Sequence, residues 1–512
     1  MAIFLEKKNR NVIPNWRSFR NTVKLGELDG KISTDIIRNV KPDITDLIND
    51  WELHKTIGVA ADIIGVALFS RQRNHKTVTE IANFIIQNSD KSTHAMINTA
   101  NELLNTNAKT ENSIIEYNTF EDFKDELKLN FHFVKISQIK KALIRNPNNP
   151  IAWVELSRLY TIVGNIIKAK RAMLNALFLS PNNRFVLRSM IRFFVHIGEI
   201  DFAYKFLTKS EGIKSDPWLI TNEISLSTIL GKGSKLAKSS VKIVNNKNIH
   251  PFHLSELNSS LATLEFQNGK VRQSKKMLKN SLINPNDNAL AQAAWFGQAD
   301  RTFNIIDSSQ FKLKSQFEAQ ARSNFKLKNW NEAIKDSINW FLDMPFSRAP
   351  IAMGNNIASA KLDDQNLAVE IAKAGLTSQP NDLHLLNNII YSLCLENRIL
   401  DAKKYFERVR NSKSEPRKEL KICLMATEGL LEFRQGNVEN GRKLYSEAIS
   451  QSSKIKDDYL ATSAFINYCR EELLLSKIHQ PEIISRLNEI KKNSKSENLS
   501  EAAEKVINIV KI

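Results

Sequence analysis

The residue types best suited to catalysis stand near the start of the chain, in "KPDITDLINDWELHK", where Asp43, Glu52 and Lys55 follow one another. Two carboxylates and a lysine can hold a divalent metal and a phosphodiester for hydrolysis. That arrangement needs strands, with one residue between the second carboxylate and the lysine. Here Leu53 and His54 intervene and the segment reads as helix, so the three side chains form a solvated helix face. His250 and His253 flank Pro251-Phe252 with no acid or thiol nearby and read as surface histidines. Gly231 and Gly233 in "LGKGSKLAKSS" follow no strand and have the wrong spacing for a phosphate loop. Cys394, Cys423 and Cys469 lie far apart, and none has a partner at metal-ligand spacing. Reduced thiols of this kind fit a cytoplasmic protein. No catalytic residue, metal or cofactor is expected.

Residues suited to binding are easier to find. In "RFVLRSMIRFFVHI" the side chains of Arg188, Arg192 and His196 recur every four residues and form one stripe of a helix. Arg158 holds the equivalent place on the preceding helix of the same kind. Guanidinium forks grip carboxylates or phosphates in two-point fashion. Asn387, Asn388 and Tyr391 occupy the corresponding face of "DLHLLNNIIYSLCL", where asparagines could hold a peptide backbone as donor and acceptor. A second group is basic: Lys235, Lys238, Lys242, Arg272, Lys275, Lys276 and Lys279, accompanied by Lys232, Lys247 and Lys270, with only Glu256 and Glu265 opposing them. Aromatic residues for base stacking are nearly absent among them. A plain solubilising surface is the simplest reading, and attraction to a phosphate backbone is the alternative.

The elements that position these residues are helical hairpins. "PIAWVELSRLYTIVGNIIKAKRAMLNALFLSP" contains a helix from Ile151 to about Val163, a break at Gly164-Asn165, and a second helix from Ile166 to Leu179. Small residues at Ser157, Ala169 and Ala176 let the two axes approach closely. Trp153, Leu156, Tyr160, Ala169, Ala176 and Pro181 give the segment its resemblance to the tetratricopeptide repeat, whose period is about 34 residues. It departs from that family at Ser157, where glycine is preferred, and at Met173, where an aromatic is. The spacing recurs at Gly198 and Ala203, at Gly269, Ser274 and Leu278, and at Ala321, Ala333 and Pro345. It recurs again at Ala368 and Pro380, at Ala402 and Phe406, and at Gly429, Gly436, Tyr445 and Ala448. The turn "NPNN" near Pro147 returns as "SPNN", "NPND" and "QPND".

The resemblance implies an all-α solenoid of hairpins wound into a right-handed superhelix, with first helices lining a concave surface. It covers residues 118 to about 470, with a short or bent connection near 305–310 dividing segments 118–304 and 305–470. Residues 1–117 read as an irregular helical extension, either a cap or a small domain, and 471–512 as closing helices. "VTEIANFIIQNSDKSTHAMINTANELL", with small Ala82, has the outline of a helix-turn-helix, but its turn lacks glycine and its second helix has few base-reading side chains.

The chain has 512 residues, 42% hydrophobic, which is ample for a buried core. Its apolar run Ile57 to Ser70 is too short to span a bilayer and contains Asp62. The net charge of +18 favours an anionic partner. The expectation is a scaffold that binds an acidic protein or peptide through Arg158, Arg188, Arg192, His196, Asn387, Asn388 and Tyr391. Nucleic acid on the basic surface is the alternative.

Overall fold

The recurring turn is a helix start. Asn149, at the end of "NPNN", accepts hydrogen bonds from the backbone N–H of Ile151 and Ala152, both at 3.1 Å, with Pro150 in the first helical position. Asn183 does the same for Val186 at 3.1 Å, and Asp382 for His384 and Leu385. In "NPND" the cap is Asn286, which accepts from Ala289 at 2.9 Å. Each cap satisfies amides that no helix turn can, so the punctuation repeats wherever a first helix begins. First helices end at a left-handed residue: Gly164, Gly198, Gly269 and Gly436 have φ of 74°, 81°, 76° and 87°. Lys328 and Asn397 take that place in two later hairpins, with φ of 62° and 57°.

The computed structural model describes residues 45–70, 76–92, 94–104, 129–145, 147–246, 249–303, 316–345, 347–412, 414–475 and 480–509. These form no β-strand. They divide into two compact units, Glu6–Ser347 and Arg348–Ile512.

In the N-terminal unit, α1 (Thr45–Leu53), α2 (Ile57–Ser70), α3 (Lys76–Gln87) and α4 (His94–Leu103) pack together. Their shared core includes Trp51, Ile63, Ile64, Val78, Ile81 and Ala100. After α5 (Leu129–Arg145) come the hairpins α6/α7 (Pro150–Ile162, Ile166–Leu179) and α8/α9 (Arg184–His196, Ile200–Leu207). Then follow α10/α11 (Pro217–Ile229, Ala237–Val244), α12/α13 (Pro251–Gln267, Val271–Ser281), the single α14 (Asp287–Ala299) and α15/α16 (Phe317–Lys326, Trp330–Asp343). Each first helix touches the next first helix, and α7, α9 and α11 each pack against the first helix that follows. That is the contact pattern of a hairpin stack. Ser157 stands where the repeat prefers glycine because its hydroxyl donates to the Ala169 carbonyl across the hairpin, at 2.8 Å. Ser274 repeats the bond to Ala262, also at 2.8 Å.

The connection read near 305–310 lies outside the described residues; α14 packs directly on α15. The division into units falls at Ser347, one hairpin later than the segment boundary read at 304. The C-terminal unit holds α17 (Arg348–Asn356) with a π-helical turn, α18 (Gln365–Ser378), α19/α20 (Leu383–Leu395, Ile399–Arg410) and α21/α22 (Lys418–Arg434, Val438–Lys454). It closes with α23 (Asp458–Leu475), α24 (Gln480–Asn493) and α25 (Glu497–Ile509). First helices again meet in series, α17 to α19 to α21 to α23, and α25 packs on α23 as a closing element.

Candidate functional site

A side chain that reaches over one first helix to the next but one must lie on the concave side of the stack. In the N-terminal unit Arg188, on α8, does this. Its guanidinium passes over the Trp218 ring of α10, 4.5 Å from the centroid, and donates to both oxygens of Glu256 on α12 at 2.8 and 2.9 Å. Asn286 donates to the same carboxylate at 2.6 Å. Arg158, only 1% exposed, pairs with Glu155 at 2.9 Å and donates to the Leu342 carbonyl at the end of α16. The first and last full hairpins of this unit therefore meet. Arg322 is equally buried, beside Glu318 at 3.0 Å. Positions 217–227 of α10 and 253–263 of α12 are buried without a break, so these helices have no solvent face over those turns. Arg192 and His196 are half-buried on α8. His253 is a correction to the surface reading: it is 3% exposed, and its Nδ1 accepts from the Trp218 indole at 3.2 Å. His250 caps α12, accepting from Phe252 at 3.3 Å.

The C-terminal unit builds its concave wall differently. Tyr391, on α19, reaches past α21 to α23, where its hydroxyl donates to Asn467 Oδ1 at 2.9 Å and accepts from Arg470 Nη1 at 3.0 Å. Arg470 Nε donates to Glu471 at 2.8 Å, and Arg434 on α21 pairs with the same carboxylate at 2.7 Å. Arg470 Nη2 is buried and has no hydrogen-bond partner among the described residues. Tyr391 and Asn467 are half-buried, as is most of this face of α23, while the Arg470 side chain is only 11% exposed. Asn387 and Asn388 are fully buried beneath them, with Thr427 donating to Asn387 Oδ1 at 2.9 Å.

Sequence reasoning found Arg188 and Tyr391 but missed Glu256, Arg434, Asn467 and Arg470. One signal was present. Glu256 lies 68 residues after Arg188, two periods of about 34, which brings complementary charges onto the same side of alternate hairpins.

The basic group divides between α11, α13 and the turn before α11. Lys235, Lys238, Lys242, Arg272, Lys276 and Lys279 are exposed. Lys275 is half-buried, its ammonium 5.3 Å from the Phe303 ring centroid. Elsewhere, Glu52 and Lys55 are exposed at the end of α1 and just beyond it, and Asp43 lies outside the described residues. Burial pushes the thiols of Cys394, Cys423 and Cys469 up to about 12, so at neutral pH they are not thiolates. Among the described residues no cluster of His, Cys, Asp or Glu could hold a metal ion, and no helix is long and apolar enough to cross a membrane.

These turns and contacts define an α-solenoid of stacked helical hairpins. No family model matches the chain, and no curated protein does. Among solved structures it is similar to yeast Tom70, with 15% identity over 76% of this chain and 96% of that one, at a TM-score of 0.27. It is also similar to the APC/C hetero-tetramer Cut9-Hcn1, with 13% identity over 94% and 100%, at 0.32. The TPR domain of P58(IPK) aligns at 13% identity over 76% and 97%, at 0.21. These likenesses concern the fold alone.

Proposed function

We propose that this protein is a non-enzymatic scaffold that holds an acidic peptide segment of a partner protein against the concave wall of its C-terminal unit. The observation that carries the reading is Arg470: a buried guanidinium with one nitrogen unpartnered, held in place by Tyr391 and Glu471. That nitrogen has no exposed surface of its own, so a peptide carboxylate would complete its hydrogen bonding by displacing the Tyr391 hydroxyl from the same guanidinium. Arg434 lies beside it through the shared Glu471, and Asn467, whose nitrogen donates to the Ser463 carbonyl at 2.8 Å, has a second N–H to give to the peptide backbone. Asn387 and Asn388 act from beneath, fixing the register of α19 against α21. A preassembled wall loses little entropy when it binds. In the N-terminal unit Arg192 and His196 extend the same reading, while Arg158 and Arg188 brace the wall through their own carboxylates. The Asn-, Lys- and Ile-rich composition fits work inside a larger bacterial assembly, in the cytoplasm.

The test is selection of a random displayed peptide library on the intact chain. Acidic sequences should be enriched, and Arg470→Gln should weaken the selected peptides about 10- to 100-fold, the loss of a charge-assisted hydrogen bond. No enrichment, or full binding by Arg470→Gln, overturns the reading.

A further inference from the structure

Outer helices of this protein carry charge in two ways. On the outer helices of the C-terminal unit, cations sit beside acids of the same helix: Lys373 with Glu370 on α18, Arg410 with Glu407 on α20, and Arg442 with Glu439 on α22. On α11 and α13 there is no acid at all. The sequence holds no Asp or Glu between Glu223 and Glu256, and none between Glu265 and Asp287. Glu256 is buried against Arg188, and Glu265 is taken by Lys270 at 3.2 Å. Lys235, Lys238, Lys242, Arg272, Lys276 and Lys279 are exposed and have no ion pair among the described residues.

The two helices are neighbours in the stack: both pack on α12, and Leu236, Ala237, Ile243 and Val244 pack against the core cluster that contains Met277, Leu278 and Leu282. Lys238 and Lys242 are one turn apart on α11, as are Arg272 and Lys276 on α13, with Lys279 a turn further. Solubility does not require such segregation, since like charges at this spacing repel. The mixed pairs of the other unit keep their helices solvated without it.

We propose that α11 and α13 form a docking face for the phosphate backbone of duplex nucleic acid, read by charge and not by base. An acidic protein fits less well. Protein interfaces are anchored by aromatic and apolar side chains, and lysine is depleted in them. Neither helix carries an aromatic residue, and the exposed apolar side chains Val241, Val271 and Ile283 are isolated. The same lack of aromatics removes base stacking, on which single-strand binding depends. α13 is about 16 Å long, at 1.5 Å per residue. A duplex presents about nine charges over that length, at one per 1.7 Å. This inference is independent of the peptide reading, because it uses another unit and another face.

The experiment is fluorescence anisotropy of the full chain with a labelled random-sequence DNA duplex between 50 and 200 mM salt. Engagement of about six phosphates gives a slope of log affinity on log salt near −5. The variant Lys238→Gln/Lys242→Gln/Arg272→Gln/Lys276→Gln should reduce that slope by about 3 to 4 units and weaken binding at least tenfold. A control variant, Lys418→Gln/Lys421→Gln/Lys443→Gln/Lys454→Gln, removes the same charge from exposed lysines of the C-terminal unit and should change neither quantity. Equal losses in the two variants would mean diffuse attraction by net charge and overturn the proposal. So would no duplex binding at 50 mM salt. An unchanged far-UV melting curve for both variants shows that the differences come from charge and not from unfolding.

Discussion

The two concave walls use one geometric device with opposite chemistry. In each, a side chain crosses one first helix to bond the next but one. In the N-terminal unit the bridge is ionic, Arg188 to Glu256, and the helices around it are buried on all sides. In the C-terminal unit the bridge is a tyrosine hydroxyl between an amide and a guanidinium, running from the mostly buried α19 to the half-buried face of α23. A buried ion pair is costly to assemble and more costly to break, because the survivor is left charged without water. Such a wall is a brace. The tyrosine hydroxyl is itself neutral and half-buried, so it exchanges its partners at a smaller cost while Glu471 keeps Arg470 paired, which a binding wall needs.

The comparison breaks most easily at Glu256. Glu256→Leu leaves the Arg188 guanidinium and the Asn286 amide without their acceptor. The expected loss is about 3–5 kcal/mol. All seven tryptophans precede Arg348, so tryptophan fluorescence during urea unfolding reports the N-terminal unit alone. A shift of under about 1 kcal/mol would show that water reaches this wall and that it is not a brace.

A second, smaller effect sharpens the same point. Asp336, on α16, is buried, and burial pushes its carboxyl up to about 7, with the hydrogen bond from Asn324 at 2.9 Å opposing the rise and nearby Glu332 adding to it. The folded state therefore favours the protonated form. The stability this group contributes is complete below its ordinary value of 3.8 and is lost as pH rises through about 7. Asp336→Asn keeps the shape and removes the titration. At pH 8 it should stabilise the N-terminal unit by about 2–4 kcal/mol, at about 1.4 kcal/mol per unit of pKa, and the gain should vanish below pH 4. A gain independent of pH would place its origin in packing.

The hairpins were legible because their signals are local. The caps at Asn149, Asn183 and Asp382 and the left-handed glycines act within a few residues, so period and punctuation appear in the sequence together. The stripe through Arg188 was legible as a helix face. What that face meets was not, because Glu256 and Leu342 reach it through the curvature of the stack, and curvature sums small rotations that no single repeat states. His253 was misread for the same reason: its loop position suggested solvent, but Trp218 of the preceding hairpin covers it. In the C-terminal unit Tyr391 stood out by its place in the repeat, whereas Arg470 lies on α23, at the end of the clear periodicity, and carried no repeat signal.

The mildest change tests the other half of the comparison. Tyr391→Phe removes the bond to Asn467 and the acceptor for Arg470 while keeping the ring. If the C-terminal wall is a binding surface, water replaces both bonds, and stability falls by about 1 kcal/mol or less. Tryptophan fluorescence should not register the change; hydrogen exchange of the α23 amides should, as a modest acceleration. A loss of 3 kcal/mol or more would make Tyr391 a brace of the same kind as Arg188. Arg470 would then be a structural cation held by its own wall, and the unpartnered nitrogen would be a stored strain with no place for a peptide carboxylate.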